Sequence, residues 1–273
     1  MSEKISVIGL GMVGGAVYRY FHERYKGEEQ MVFGYDINPS LACDTWAQNL
    51  ETDYMFLCLP SETARDGSQD LKALEAVLNQ LALDRYEGIV VIKSTVVPGT
   101  TKGLQVLFPS LKLTHNPEFL TAANAYDDFV RQPAILVSGQ WAEDVCCLYR
   151  KFFYCKCIAT PDTNITELAK YMHNVFLSVK VGWCNEFYKL CENVSQNSYD
   201  EVRQLACLMG GIGLGHTKVP GPDGRFGFGG ACFPKDTQAL QRFMADNNLT
   251  HGILKATIDQ NIERNEEYFS GVR

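Results

Sequence analysis

Short apolar runs and helical periodicities alternate through the first half of the chain. Lys4–Gly9, Met31–Tyr35, Tyr54–Leu59, Ile89–Ile92 and Ala134–Ser138 are near-continuous apolar segments of strand length. That is the pattern of strands buried on both faces of a sheet. Val13–Tyr25, Leu71–Leu83 and Trp141–Phe153 carry helical spacing and interleave with them. The alternation predicts βαβ units, right-handed crossovers and a mostly parallel sheet. Near residue 160 the rhythm changes. Asn164 and Glu167 have the spacing of a capping box and open a long helix, Ile165 to about Glu192, without an internal proline. Ser198–Glu201 repeats the signature before a helix to about Met209. Gly210–Gly230, rich in Gly and Pro, reads as a long loop, and two helices follow at about Asp236–Asn247 and His251–Phe269. An α/β domain over 1–160 and an all-helical domain over 161–273 with a long central helix are expected.

The turn after the first strand carries Gly9, Gly11 and Gly14 in G-x-G-x-x-G spacing, followed by a helix. The first glycine permits the tight turn, the second lets a pyrophosphate approach the backbone, and the third lets helix and strand pack closely. The free amides at the helix start, around Met12 and Val13, face the phosphate charge. Asp36 ends the second strand, where a carboxylate accepts from ribose hydroxyls and repels a 2′-phosphate. This predicts a Rossmann-type first domain that binds NAD rather than NADP.

Composition narrows the classes. The chain has 273 residues, 46% hydrophobic and 21% charged, with a formal net charge of −7. Its mean hydropathy of −0.13 and pI near 5.3 suit a globular protein without a basic face, so nucleic acid is an unexpected partner. No window of 18 apolar residues predicts a membrane span. The N-terminus enters a strand at once, without the shape of a signal peptide. Ten scattered cysteines, several in apolar segments, read as reduced thiols of a cytoplasmic protein. Cys155 and Cys157 are too close for a metal knuckle and no metal site is expected.

One cysteine stands apart. Phe226–Asp236 reads FGFGGACFPKD, which sets Cys232 among glycines just before a helix start. A helix dipole and a nearby ammonium would both favour a thiolate there, and the glycines let a ligand come close to backbone.

At this point the chain resembles the UDP-glucose/GDP-mannose dehydrogenase family. GFGGACFPKD is similar to the family's active-site segment. In order along the chain, Cys58–Ser61 (CLPS), Ser94–Thr101 (STVVPGTT), Asn116–Leu120 (NPEFL) and Glu167–Glu186 (ELAKYMHNVFLSVKVGWCNE) resemble its other motifs. The resemblance implies oxidation of a nucleotide sugar, UDP-glucose to UDP-glucuronate first among them, in two NAD-dependent steps with Cys232 as covalent nucleophile. It implies oxyanion stabilisation by Lys170 and Asn174, water positioned or activated by Asp236 and Thr95, and Glu118 as general base. It extends the cofactor site to Pro60, Ser61, Ser94, Thr95 and Lys235. It extends the substrate site to Glu118, Phe119, Leu120, Lys170, Asn174, Phe228, Gly229 and Gly230. A homodimer through the central helix, with Val175, Phe176, Val179 and Trp183 along it, is also expected.

Two departures stand against this pattern. Family members commonly carry a second glutamate four positions after the first in N-P-E-F-L, where this chain has Ala122. The family also continues into a further α/β domain that binds the substrate's nucleotide. A separate chain supplying that half, a different mode of substrate binding, and a fragment all stay open. Two rival readings are a single-step β-hydroxyacid-type dehydrogenase, which leaves the cysteine loop without a purpose, and a catalytically reduced NAD-binding subunit needing a partner chain.

Overall fold

The computed structural model describes residues 3–26, 30–64 and 66–269, with the backbone alone for 264–269. Residues 270–273, the last of the expected helical domain, lie outside the described residues. The elements run β1 (Ile5–Ile8), α1 (Met12–Arg24), β2 (Val32–Tyr35), α2 (Trp46–Asn49), β3 (Tyr54–Leu57), α3 (Lys72–Leu83), β4 (Ile89–Ile92), α4 (Thr100–Leu107) and β5 (Lys112–His115). They continue α5 (Ala125–Val130), β6 (Ala134–Ser138), α6 (Ala142–Arg150), β7 (Lys156–Thr160), α7 (Thr163–Val194), α8 (Tyr199–Leu208), α9 (Phe233–Asp246) and α10 (Gly252–Phe269). They gather into two compact units. The first holds residues up to Glu62 with Gln69–Lys170, and the second holds Thr63–Ser68 with the chain from Tyr171 onward.

The first unit is a seven-stranded sheet ordered β2-β1-β3-β4-β5-β6-β7. All pairings are parallel except β5 with β6, which meet antiparallel at His115 and Ser138. Successive strand residues face opposite ways, so one apolar run feeds two cores. Ile5, Val7, Phe56 and Val91 pack with Val17, Phe21, Phe129, Leu148 and Tyr149 on one face. Ile8, Met55, Leu57, Val90 and Ile92 pack with Leu74, Leu78, Leu81 and Leu104 on the other. Each fully buried side chain of this size contributes about 1.5–3 kcal/mol. That explains why the expected strands carry no polar alternation.

The expected elements form, with ends shifted by a few residues. β5, β7, α2, α4 and α5 add to them. β7 is an edge strand whose outer residues are half-exposed, so its pattern in KCIAT is weak.

The capping box at Asn164 does not form. α7 starts at Thr163, and the Asp162 carboxylate accepts from Asn164 N at 3.1 Å instead. Glu167 reaches away from its own helix, accepting from Gly99 N at 2.7 Å and Thr101 N at 2.9 Å at the start of α4. A capping box needs that carboxylate turned back on its own helix end, and two free amides of a neighbouring helix hold it elsewhere. Ser198 stands at the N-cap of α8 but its backbone is helical, and its hydroxyl makes no capping bond.

The second unit is helical. Cys184, Cys191, Tyr199 and Val219 form its small core, with Phe187, Tyr188, Val202 and Phe226 packed against them. Along α7, Val175 is buried and Val179 half-buried, whereas Phe176 and Trp183 are exposed.

Candidate active site

Glycine geometry builds the cofactor half. Gly9 has φ +87°, and a Cβ there would sit 2.6 Å from Cys58 O. A Cβ on Gly14 would lie 1.7 Å from Gly9 O, so α1 can start this close to β1 only with glycine at that position. A Cβ on Gly11 would meet nothing within 4 Å. The first and third glycines answer to packing, and the middle one leaves open space before the start of α1 at Met12 and Val13. That is the arrangement a pyrophosphate needs.

A cleft of about 680 Å³ opens at the carboxyl ends of β1, β2 and β3, lined by Gly9, Asp36, Ile37, Trp46, Leu59 and Pro60 among others. Asp36 accepts from Leu10 N at 2.7 Å and Asn38 N at 2.8 Å. Its carboxylate therefore locks the glycine turn to the end of β2, and each oxygen keeps a lone pair for a ribose hydroxyl. The residues fit a dinucleotide: a glycine cradle, a helix start and an acceptor lie at the edges of adjacent strands.

The ends of β3 and β4 are tied together beside that cleft. Ser94 Oγ donates to Leu59 O at 2.7 Å, and Ser61 and Thr95 are buried. Gln69 brackets the following loop, donating to Thr95 O at 2.7 Å and accepting from Val97 N at 3.0 Å.

The N-P-E-F-L turn after β5 puts Glu118 in a buried pair with Lys170. Their atoms are 3.2 Å apart, with side chains 7% and 3% exposed. Glu118 also accepts from Leu120 N at 2.6 Å, and the Lys170 ammonium lies 5.1 Å from the Phe119 ring centroid. Desolvating two charges costs several kcal/mol each. The pair is held by geometry and hydrogen bonds, and its net contribution to stability is small.

In the second unit the expected residues form another connected group. Cys232 is the N-cap residue of α9, with Pro234 in the first turn, and Asp236 N donates to Cys232 O at 2.9 Å. Asp236 is buried, accepting from Asn174 Nδ2 at 2.6 Å and Lys235 Nζ at 2.6 Å. His173 Nδ1 lies 3.0 Å from Asn174 Oδ1 and extends the chain of polar contacts. Lys170 and Asn174 stand four residues apart on α7, and in this structure each is engaged by a carboxylate: Glu118 for the first, Asp236 for the second.

The glycine-rich approach to Cys232 is pinned by two buried asparagines that the sequence reading did not single out. Asn185 Oδ1 accepts from Gly227 N at 2.8 Å. Asn261 accepts from Phe228 N at 2.7 Å and donates to Phe228 O at 3.0 Å, as a neighbouring strand would. Gly227 has φ +76°, and a Cβ there would sit 2.4 Å from Asn261 Oδ1. Past the pinned Phe228, Gly229 and Gly230 are exposed, leaving bare backbone just before Cys232.

Lys93 was also missed. It is buried at the end of β4, with Nζ donating to Asn116 O at 3.2 Å and Asn116 Oδ1 at 3.0 Å. A charged residue closing the apolar run IVVI was the available signal. Among the described residues no cluster of three or more His, Cys, Asp or Glu gathers as a metal site. No helix of the described residues is long and apolar enough to cross a membrane.

Comparison with known proteins identifies the family and the fold. Residues 40–153 match the NAD binding domain of the UDP-glucose/GDP-mannose dehydrogenase family, and residues 164–263 match its central domain. A UDP-glucose 6-dehydrogenase of Rickettsia conorii is 32% identical over 228 residues, covering 78% of this chain and 49% of its own length. A UDP-glucose dehydrogenase from the archaeon Pyrobaculum islandicum superposes with a TM-score of 0.85 at 27% identity, covering 100% of this chain and 72% of its own. A 3-hydroxyisobutyrate dehydrogenase of Mycobacterium tuberculosis shares the fold, with a TM-score of 0.72 at 18% identity over 95% of this chain and 92% of its own. The chain spans about half the length of the curated relatives it matches. With both family domains matched in order, the chain belongs to the UDP-glucose/GDP-mannose dehydrogenase family, and its first unit carries that family's NAD-binding domain.

Proposed function

We propose that the chain oxidises a nucleotide sugar at its primary alcohol to the carboxylate, UDP-glucose to UDP-glucuronate in the first instance. The observation that carries this is the Cys232 segment: a thiol at a helix start, bare glycine backbone before it, and a buried Asn174–Asp236 pair joined by the half-buried Lys235.

NAD, when bound, supplies the hydride acceptor for both oxidations. Gly9, Gly11, Met12, Val13, Gly14 and Asp36 would hold its adenosine and pyrophosphate. Pro60, Ser61, Ser94, Thr95 and Lys235 would complete the site. Cys232 adds through sulfur to the aldehyde carbon of the first product, giving a thiohemiacetal whose oxidation leaves a thioester. The adduct is needed because the aldehyde hydrogen leaves as hydride only from a tetrahedral carbon, whose hydroxyl loses its proton as the thioester C=O forms. Lys170 and Asn174 stabilise the oxyanions with buried donors, Asp236 and Thr95 position water, and Glu118 takes a proton as the thioester is hydrolysed. Phe119, Leu120 and Phe228–Gly230 would contact the sugar.

The exposed apolar residues Met172, Phe176, Trp183, Leu190 and Val194 along α7 support docking against a second copy of the chain. A monomer by size-exclusion chromatography with light scattering overturns that. A cytoplasmic setting goes with ten scattered cysteines, several of them in apolar segments.

A second reading is a catalytically reduced NAD-binding subunit that needs a partner chain to turn a nucleotide sugar over. One experiment separates the two. NADH formation is followed with UDP-glucose, GDP-mannose and a UDP-N-acetylhexosamine, for the chain and for Cys232→Ala. Two NADH per sugar, lost in the variant, supports the four-electron oxidation. NAD binding without turnover supports the partner-dependent subunit, and one NADH per sugar, independent of Cys232, supports a single-step dehydrogenase.

A further inference from the structure

The proposed chemistry gives no task to the buried ammonium of Lys93. Lys93 is 3% exposed, at the end of β4, and its ammonium lies 5.8 Å from the Phe129 ring centroid. Burying a cation is costly, and a neutral or aliphatic side chain would close an apolar strand more cheaply. Its two hydrogen bonds converge on Asn116, one to the backbone carbonyl and one to the side chain.

Asn116 is a hub. Its N–H donates to Ile92 O at 2.9 Å, its Nδ2 to Leu136 O at 2.7 Å, and its Oδ1 also accepts from Tyr149 O–H at 2.6 Å. It thereby ties the ends of β4 and β5 to β6 and α6. Two residues further on is Glu118, whose oxygens are aimed by Leu120 N and Lys170. Lys93 fixes the start of the turn that Glu118 ends, and the charge of Glu118, which pairs with Lys170, also acts on Lys93.

We propose that Lys93 is a positioning residue for thioester hydrolysis, holding Asn116 and through it the direction of the Glu118 carboxylate toward its water. This rests on the four-electron reading and deepens it. The charge strengthens both hydrogen bonds, since a charge-assisted bond is roughly twice as strong as a neutral one. Burial pushes the ammonium down to about 8, with Lys170 adding to the fall and Cys58 and Glu118 opposing it. The titratable groups around it are Cys58, His115, Glu118, Tyr149 and Lys170. Burial moves Cys58 up to about 12 and His115 down to about 3, so neither of these titrates near pH 8. Loss of the Lys93 proton weakens the hold on Asn116, and hydrolysis slows above that pH.

The test follows the Cys232 thioester by quenched-flow mass spectrometry across pH 6–10, using the full chain with NAD and the nucleotide sugar it turns over. In Lys93→Gln we expect hydrolysis to slow roughly ten-fold or more, with NADH formation before the thioester and NAD affinity unchanged. The alkaline fall near pH 8 should vanish in that variant. A merely structural role would lower stability and leave the shape of the pH profile intact. If Lys93→Gln does not fold, Tyr149→Phe removes the other donor to Asn116 Oδ1 at nearly constant volume, and a several-fold slowing of the same step is expected. A wild-type hydrolysis rate and pH profile in the folded variant overturns the assignment and leaves the oxidation standing. A wild type that forms no thioester with any nucleotide sugar overturns the oxidation itself, and this assignment with it.

Discussion

Asn261 on α10 holds the backbone that leads to Cys232, and removing its amide should loosen that loop in a measurable way. Asn261 is 7% exposed and Phe228 is 6% exposed, and the two share a pair of hydrogen bonds at 2.7 and 3.0 Å. Asn261→Ala leaves a buried N–H and a buried C=O without these partners. Each such loss costs about 1–2 kcal/mol, so the loop should lose about 2–4 kcal/mol of local stability. Because 1.4 kcal/mol is about ten-fold in an equilibrium constant, the Phe228 amide should exchange its hydrogen roughly 100-fold faster. Hydrogen exchange with mass spectrometry on the peptide spanning 226–230 reads this directly.

Asn261→Asp makes a sharper version of the same test. The volume is kept and Phe228 N still finds an acceptor, but a carboxylate oxygen now faces Phe228 O. Faster exchange near neutral pH should reverse on acidification, when the protonated acid regains a donor. Acceleration below about three-fold in both variants would refute the idea that this pair holds the loop. It would shift the burden to Asn185, which accepts from Gly227 N.

Three further outcomes are expected. Gly14→Ala should abolish NAD binding by calorimetry, because its Cβ would lie 1.7 Å from Gly9 O and α1 must leave the glycine turn to relieve the clash. Glu167→Ala should lower stability to urea by about 2–4 kcal/mol, since the amides of Gly99 and Thr101 lose a shared carboxylate. His115, fully buried and pushed down to about 3, binds its proton in the unfolded chain well before the native one. Its contribution is complete above about pH 6.5 and is lost as pH falls toward 3, amounting to about 3 kcal/mol by pH 4.5. Unfolding free energies measured from pH 7 to 4.5 should fall less steeply in His115→Asn, by close to one proton, and an unchanged slope would count against the buried neutral histidine.

What the sequence determined by itself was whatever local spacing encodes. The glycine fingerprint requires a turn, a close approach and a helix start within six residues, and the sterics at Gly9 and Gly14 are those the spacing demands. Apolar runs in β1, β3 and β4 were legible because both faces of a parallel strand are buried, and β7 was missed because an edge strand buries less. Tertiary structure alone decided the partners of the buried charges. Glu167 has the position of a capping residue, yet two amides on α4 hold it, since a carboxylate takes the best donors in space rather than in sequence. Lys170 and Asn174 look like one pair on a helix face, and different carboxylates engage them. Lys93, Asn185 and Asn261 are ordinary residues in the sequence. Their hydrogen bonds matter only where folding has removed water, because a bond to an otherwise unpaired buried group is then hard to replace.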